Sequence, residues 1–457
     1  MEPSGKDFDR DADRAAAQLR AIPQEQPVRL AKKTSNLFRA REQVTARLDL
    51  DAFNGVYHVD PATATASVGG LTTYEDLVAA TLPHGLVPLC VPQLRTITLG
   101  GAVTGLGIEA ASFRNGLPHE SVRSMDVLTA TGEVLKASRD ENSDLFFGFA
   151  NSYGSLGYAL RLEIELEPVT PYVGLRHLRF ADVRQTLPVI AEIIRTRQWQ
   201  GERVDYLDGT VFSAEEQYLT LGTYTSDRSH VPSDYTGRDI YYRSIQQRST
   251  DLLTTLDYLW RWDTDWFWCS RALGVQKPWV RPFWPRRYKR SDVYWKIIDL
   301  DRKYQLAARA DRLRGHPARE SVVQDVEVPL EALPEFLSFF HDRVGISPVW
   351  LCPLKQRDAD VTWSLYQFDP ELIYVNVGFW STVSLKPGED PEAGRINREI
   401  EAEVTRLGGR KSLYSTAFYE RDDFYDIYGH GVYGALKDEY DPNARLTGLW
   451  EKTVAGR

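Results

Sequence analysis

Cysteine is scarce in this chain: Cys90, Cys269 and Cys352 are the only three in 457 residues. They are odd in number, widely spaced and outside any C-x-x-C pattern, which argues against a disulfide framework or a zinc site and fits a reducing, cytoplasmic setting. Long apolar runs are also missing, and none approaches the roughly eighteen residues that a membrane span needs. The opening Met1-Glu-Pro-Ser-Gly-Lys-Asp7 lacks the apolar core of a signal peptide. Positive charge is not in excess: Lys and Arg number 55 against 64 Asp and Glu, a net charge of −9. General affinity for nucleic acid is therefore excluded. There is no internal repeat, no low-complexity tract and no G-x-G-x-x-G fingerprint of a Rossmann nucleotide site. What remains is a chain long enough for two or three domains with substantial cores.

The most informative segment present is Thr98-Leu-Gly-Gly-Ala-Val-Thr-Gly-Leu-Gly-Ile-Glu109, followed by Asn142-Ser-Asp-Leu-Phe-Phe147 and Ser155-Leu-Gly157. Gly100, Gly101, Gly105 and Gly107 leave backbone amides uncovered, and the run is expected to form a loop that approaches a pyrophosphate or a flat ring closely. Around it, Leu48 to Phe53, Gly55 to Asp60 and Thr65 to Val68 read as short strands. Thr72-Thr-Tyr-Glu75 has capping-box spacing and starts a helix that ends at His84-Gly85. Ser124 to Leu135 reads as two strands about a Thr-Gly-Glu turn, and Tyr158 to Glu167 alternates as a half-buried strand should. Asp11 to Ala21 is an Ala-rich helix ending before Pro23.

This order resembles the second half of the FAD-binding domain of the vanillyl-alcohol-oxidase superfamily, the PCMH type. Within it the chain is similar to the Δ24-sterol reductase group, through the 98–109 run, Glu141-Asn-Ser-Asp-Leu-Phe146, Gly154-Ser-Leu-Gly157, Val322-Val-Gln-Asp325 and Pro348-Val-Trp-Leu-Cys-Pro353, spread over about residues 27–455. The resemblance implies an α+β protein: an FAD-binding domain of two α/β subdomains over 1–171, a mixed α+β cap over 172–425, and a segment 426–457 that returns to the FAD domain. Strands such as Tyr218 to Tyr224 and Val322 to Val328 would face the flavin, with helices such as Leu330 to Asp342 behind.

The basic, hydroxyl-rich stretch Val28 to Asn36 falls where relatives carry a pyrophosphate loop, and Lys33, Thr34, Ser35 and Asn36 are candidate cofactor ligands. Many relatives hold a Gly-Gly-His there for covalent flavin attachment. None occurs here, so FAD is expected to bind non-covalently. Thr98, Gly100, Gly101, Gly105, Gly107, Gly154 and Gly157 complete the cofactor candidates. Glu109 is either a desolvated proton donor near the flavin or a partner of Arg114 or Arg95. Lys437, just before Asp441-Pro-Asn443, either stabilises anionic reduced flavin or is a surface helix lysine. Tyr153 and Tyr419 are further candidate acids, and lone His119 and His430 read as structural more readily than catalytic.

Residues 260–295 hold seven of the twelve tryptophans, and Arg281 to Arg290 contains five cations and no acid. Such a mixture suits an anionic membrane surface, a homo-oligomer (dimer) interface or a buried cap, or the lining of a pocket for a long apolar ligand. The resulting expectation is an FAD-dependent reductase of an isolated C=C bond in a lipid. The double bond belongs to a methylene-branched fatty acyl chain of a phospholipid or to a sterol side chain. The resemblance implies NADPH as electron source, and the location is the cytoplasm, with peripheral contact at the inner face of the membrane. An FAD-linked oxidase or dehydrogenase of an alcohol or sugar is the alternative, and a flavin- or lipid-binding protein without turnover a second one.

Overall fold

The computed structural model describes residues 7–32, 38–39, 46–228, 230–304, 317–429 and 431–456. Among them the chain folds into two large antiparallel sheets that follow one another. The first has the order Val56–Asp60, Thr65–Gly69, Tyr158–Pro168, Val122–Leu128, Val134–Ser138, and Leu86–Pro88 pairs with the far end of Tyr158–Pro168. Ahead of it lies a parallel pair, Val28–Leu30 beside Ala46–Leu48. The helix Phe8–Ala21 covers that pair with Ala12, Ala15, Ala16 and Leu19, one apolar stripe at helical spacing. The stretch expected as a strand over 48–53 divides: after Leu48 the chain turns through a 3₁₀ helix, Asp51–Phe53.

The helix Tyr74–Thr81 starts one residue later than its spacing predicts. Thr73, not Thr72, is its cap, accepting from the Asp76 N–H at 3.2 Å, because the Thr72 hydroxyl is engaged with the Gly55 backbone. The Gly-rich run departs further, since it is not a loop. Leu99–Gly105 is a helix capped by Thr98, whose hydroxyl accepts from the Gly101 N–H at 3.2 Å. Glycine costs a helix about 1 kcal/mol per residue relative to alanine, but close packing requires it here. A Cβ on Gly100 would stand 2.7 Å from the Gly70 carbonyl oxygen. The Gly-rich helix can therefore lie directly on the turn that leaves the first sheet.

The second sheet runs Thr250–Thr254, Tyr172–Phe180, Glu216–Thr225, Tyr206–Ser213, Val349–Leu354, Tyr374–Ser384, Arg319–Pro329, Arg410–Lys411. Its pleat sorts the side chains. Val322, Val326, Val328, Val375 and Val377 pack with Ile190, Ile193, Phe336, Phe340 and Ile400 from helices Thr186–Thr196, Leu333–Arg343 and Arg395–Arg406. The opposite face carries Tyr206, Trp350 and Trp380 into the core shared with the first sheet. The C-terminal segment closes the molecule: Arg445 donates to the carbonyls of Leu19, Ile22 and Ala130 at 2.9–3.0 Å.

Candidate functional site

A cavity of about 320 Å³ opens between the two sheets. Its floor comes from the first sheet and the elements on it: Arg29, Leu30 and Lys32, the turn Gly70-Leu71, the helix and loop from Ile97 to Ile108, and the segment 153–159. Thr98 and all six glycines singled out in the sequence, Gly100, Gly101, Gly105, Gly107, Gly154 and Gly157, line it. Lys32 reaches the Thr98 hydroxyl at 2.9 Å, and a Cβ on Gly101 would fall 2.8 Å from that oxygen and 3.3 Å from the Lys32 ammonium. Arg39 and Lys452 add two more cations to the wall. Bare backbone beside four cationic side chains is the donor set that a dinucleotide diphosphate and a flat ring require, so these residues fit FAD. Lys33, Thr34, Ser35 and Asn36 lie outside the described residues, as does His430.

The roof is aromatic. Trp266, Phe267, Trp350 and Trp380 line the cavity together with Phe38. Phe267 lies 4.3 Å from Trp380 and 5.3 Å from Trp350 between ring centroids, and Phe38 stacks on Trp266 at 5.6 Å. Trp266 and Phe267 both have positive φ, 47° and 58°. Two successive bulky residues in the left-handed region are costly, and the packing of Phe267 on Trp262 and Trp380 and of Trp266 on Phe38 holds them there. Behind them one buried carboxylate, Asp208, accepts from Trp262 Nε1 at 3.0 Å, Trp350 Nε1 at 3.3 Å and Arg261 at 2.8 Å. A single acid thus fixes two indoles and the segment that presents Phe267.

Of the expected acids, only Tyr153 lines the cavity. Glu109 is buried, and burial pushes its carboxyl up to about 8, but Gly107 and Ile108 line the cavity and Glu109 does not. Its carboxyl accepts from the Ala111 N–H at 2.7 Å, while Arg114 pairs with Glu167 and Arg95 with Asp263 and Glu75. Tyr153 lines the cavity, yet its hydroxyl donates to the Gly105 carbonyl at 2.7 Å, which holds the end of the Gly-rich helix. Tyr419 is away from the cavity lining, with its ring 5.9 Å from Tyr428. Lys437 does not line the cavity either. Its ammonium donates to the Ser155 carbonyl at 2.8 Å and to Asp441 and the Leu446 carbonyl at 2.6 Å, so it ties the C-terminal segment to the 152–157 loop. His119 is buried against Trp363, and burial lowers its pKa to about 3.

One acid that the sequence did not single out does line the cavity. Asp325, on Arg319–Pro329, receives the Asn376 amide at 3.2 Å and the Tyr414 hydroxyl, and burial pushes its carboxyl up to about 7. Tyr414 in turn accepts from Trp380 Nε1 at 2.8 Å. Period-two alternation carried the signal, because Val323, Asp325 and Glu327 share the face opposite Val322, Val326 and Val328.

The segment 260–295 divides into an inner and an outer part. Trp260, Trp262, Trp266 and Trp268 are buried, whereas Trp279 is 69% and Phe283 84% exposed. The five cations do not form one open patch. Arg281 pairs with buried Asp265, Arg286 with Asp234, and Arg290 with Glu75 and Asp292. Lys289 donates to the carbonyls of Thr236 and Gly237, and exposed Arg287 lies over the Tyr288 ring.

Comparison with known proteins agrees with this geometry. Residues 10–138 match the model of the FAD binding domain family. Over 405 residues the chain is 25% identical to the Delta(24)-sterol reductase of Mus musculus, covering 86% of this chain and 73% of that one. The Delta(24)-sterol reductase of Arabidopsis thaliana is 23% identical over 438 residues, 90% of this chain and 77% of that one. A shorter match, 34% over 143 residues, joins 31% of this chain to 27% of cytokinin dehydrogenase 7 of Oryza sativa subsp. japonica.

Proposed function

The chain is an FAD-dependent oxidoreductase with a PCMH-type FAD binding domain, and from that premise we propose that it reduces an isolated C=C bond in a lipid. The observation that carries this reading is the aromatic roof of Trp266, Phe267, Trp350 and Trp380 set over the glycine-lined floor. Such a wall suits a long apolar substrate. A sugar or small alcohol would call for several carboxylates and amides, and among the described lining residues Asp325 and Gln93 are the only ones.

When bound, reduced FAD supplies a hydride to one alkene carbon. The chain's own contribution is to bind the cofactor through Thr98, Lys32 and the glycines, to exclude water with the indole roof, and to hold an acid where the second alkene carbon is protonated. An unpolarised alkene depends heavily on that acid. NADPH is the proposed electron source. The proposed substrate is a methylene-branched fatty acyl chain of a phospholipid, with a sterol side chain, which the names of the relatives point to, as the competing choice.

We also propose a peripheral, cytoplasmic-face contact with anionic membrane through Trp279 and Phe283, the exposed end of the segment whose inner end roofs the cavity. Exposed Lys277 and Arg287 flank these rings, the combination that suits a headgroup layer. Anaerobic addition of NADPH to the purified holoenzyme tests the reading: loss of the flavin band is expected, with recovery and a saturated product when the methylene-acyl phospholipid is added. Bleaching by alcohols or sugars instead would overturn it.

A further inference from the structure

We propose that Asp325 is the acid that protonates the alkene, with Tyr414 and Asn376 positioning its carboxyl; the assignment rests on the reductase reading above. Asp325 is the one carboxyl among the described residues that line the cavity. Space for it is built into the sheet, since its register partner is Gly378, and a Cβ there would stand 2.3 Å from Asp325 Oδ1. The hydrogen-bond direction is fixed from outside. An indole N–H can only donate, so Trp380 occupies the Tyr414 oxygen as acceptor and directs the phenol proton toward Asp325. The same Trp380 belongs to the aromatic roof, which couples the acid's position to the substrate wall.

The surrounding groups keep the carboxyl poised. On its own strand, Glu327 is buried and receives Tyr366 and Ser412, and burial holds its carboxyl up at about 8. From Tyr374–Ser384 the facing groups are Asn376, Gly378 and Trp380, none of them charged. From the segment after Arg410–Lys411 come Ser412 and Tyr414, and from the floor Tyr153, with Arg39 over its ring. Burial dominates over the two hydrogen bonds and places the Asp325 carboxyl near neutrality, where it is part protonated and can give up its proton. In the reaction the alkene π pair takes the Asp325 proton at one carbon, and the hydride closes the other. The carboxylate then regains a proton from water.

The test uses holoenzyme reduced anaerobically with dithionite. It is mixed in separate arms with a phosphatidylglycerol carrying a methylene-branched C18 chain and with a sterol carrying a side-chain double bond. Flavin reoxidation and product mass are read. Asp325→Asn is expected to slow reoxidation roughly 10²-fold or more, and Asp325→Glu to restore part of the rate. The wild-type rate should fall as pH rises through about 7, and that dependence should vanish in Asp325→Asn. Without substrate, tryptophan emission should show a step in the same pH range that Asp325→Asn removes. A wild type that turns over either lipid beside an equally fast Asp325→Asn overturns the assignment alone. A wild type that reoxidises with neither lipid removes the reductase reading, and the assignment with it.

Discussion

Gly101→Val puts a branched side chain at the one point where the floor brings a cap, a cation and the cofactor surface together. Its Cβ would stand 2.8 Å from Thr98 Oγ1 and 3.3 Å from Lys32 Nζ. Thr98 must therefore rotate, which loses the cap on the Gly101 N–H, about 1 kcal/mol, and the Lys32 contact at 2.9 Å. Valine recovers a few tenths of a kcal/mol over glycine in a helix, and the lost part-buried Lys32–Thr98 hydrogen bond adds about 0.5–1.5 kcal/mol, so the fold loses about 1–2 kcal/mol in all and survives. Binding suffers more. Displacing one charge-assisted contact costs about 1.5–3 kcal/mol, and the two γ-methyls enter the cavity besides, so FAD affinity should fall by at least ~10-fold to 100-fold. The assay is titration of apoprotein with FAD, followed by flavin fluorescence, with circular dichroism to show the fold. Gly100→Ala is the contrast: its Cβ would meet the Gly70 backbone at 2.7 Å, so thermal stability should fall by about 1–3 kcal/mol. A folded Gly101→Val protein with wild-type FAD affinity would refute the placement of the cofactor on this helix.

Lys437→Met leaves Asp441 buried without its cation and should destabilise the fold by about 3–5 kcal/mol; thermal unfolding checks this, and an unchanged melting temperature with an altered flavin potential would return Lys437 to the flavin. The stretch Val28 to Asn36 carries no Gly-Gly-His, so acid precipitation should release all the flavin; colour in the pellet would contradict non-covalent binding. Burial depresses His119 from 6.5 to about 3, so the unfolded chain takes up that proton first and stability is lost as pH falls from about 6.5 toward 3. The slope is at most about 1.4 kcal/mol per pH unit; His119→Phe should flatten it in acid-denaturation curves, and an unchanged slope would mean the ring is charged in the fold. Trp279→Ser combined with Phe283→Ser should weaken co-sedimentation with anionic vesicles; equal binding by both proteins would remove the membrane contact.

Much of the fold was legible because local periodicity and turn chemistry agree with the tertiary structure. The helix Phe8–Ala21 and the strands Thr65–Gly69, Tyr158–Pro168 and Arg319–Pro329 follow their patterns. The glycines of the run line the cavity floor, but at least one of them is bare for a reason other than a ligand. Gly100 is bare to let the helix approach Gly70, and low propensity concealed the helix itself. Glu109 and Tyr419 fall outside the cavity lining because sequence gives residue type and approximate place, not the direction of a side chain. Glu109 is next to lining residues and still outside the wall. Lys437 and Asp441 are four apart on one helical turn, a spacing that already signals an ion pair. Asp325 ends a segment shared with the resembled family on a strand expected to face the flavin, and alternation along that strand turns it opposite Val322, Val326 and Val328. The cations of 281–290 looked like a patch because their partners, Glu75, Asp234 and Asp265, are distant or non-adjacent in sequence.

Reduction of a lipid C=C bond can be followed in one anaerobic single turnover. Photoreduced holoenzyme is mixed with a phospholipid bearing a methylene-branched acyl chain, and flavin absorbance is followed while the lipid is analysed by mass. Oxidised flavin should recover in step with one equivalent of product two mass units heavier. Flavin that stays reduced in the presence of this lipid and of a side-chain-unsaturated sterol, yet reoxidises normally with oxygen, would contradict it.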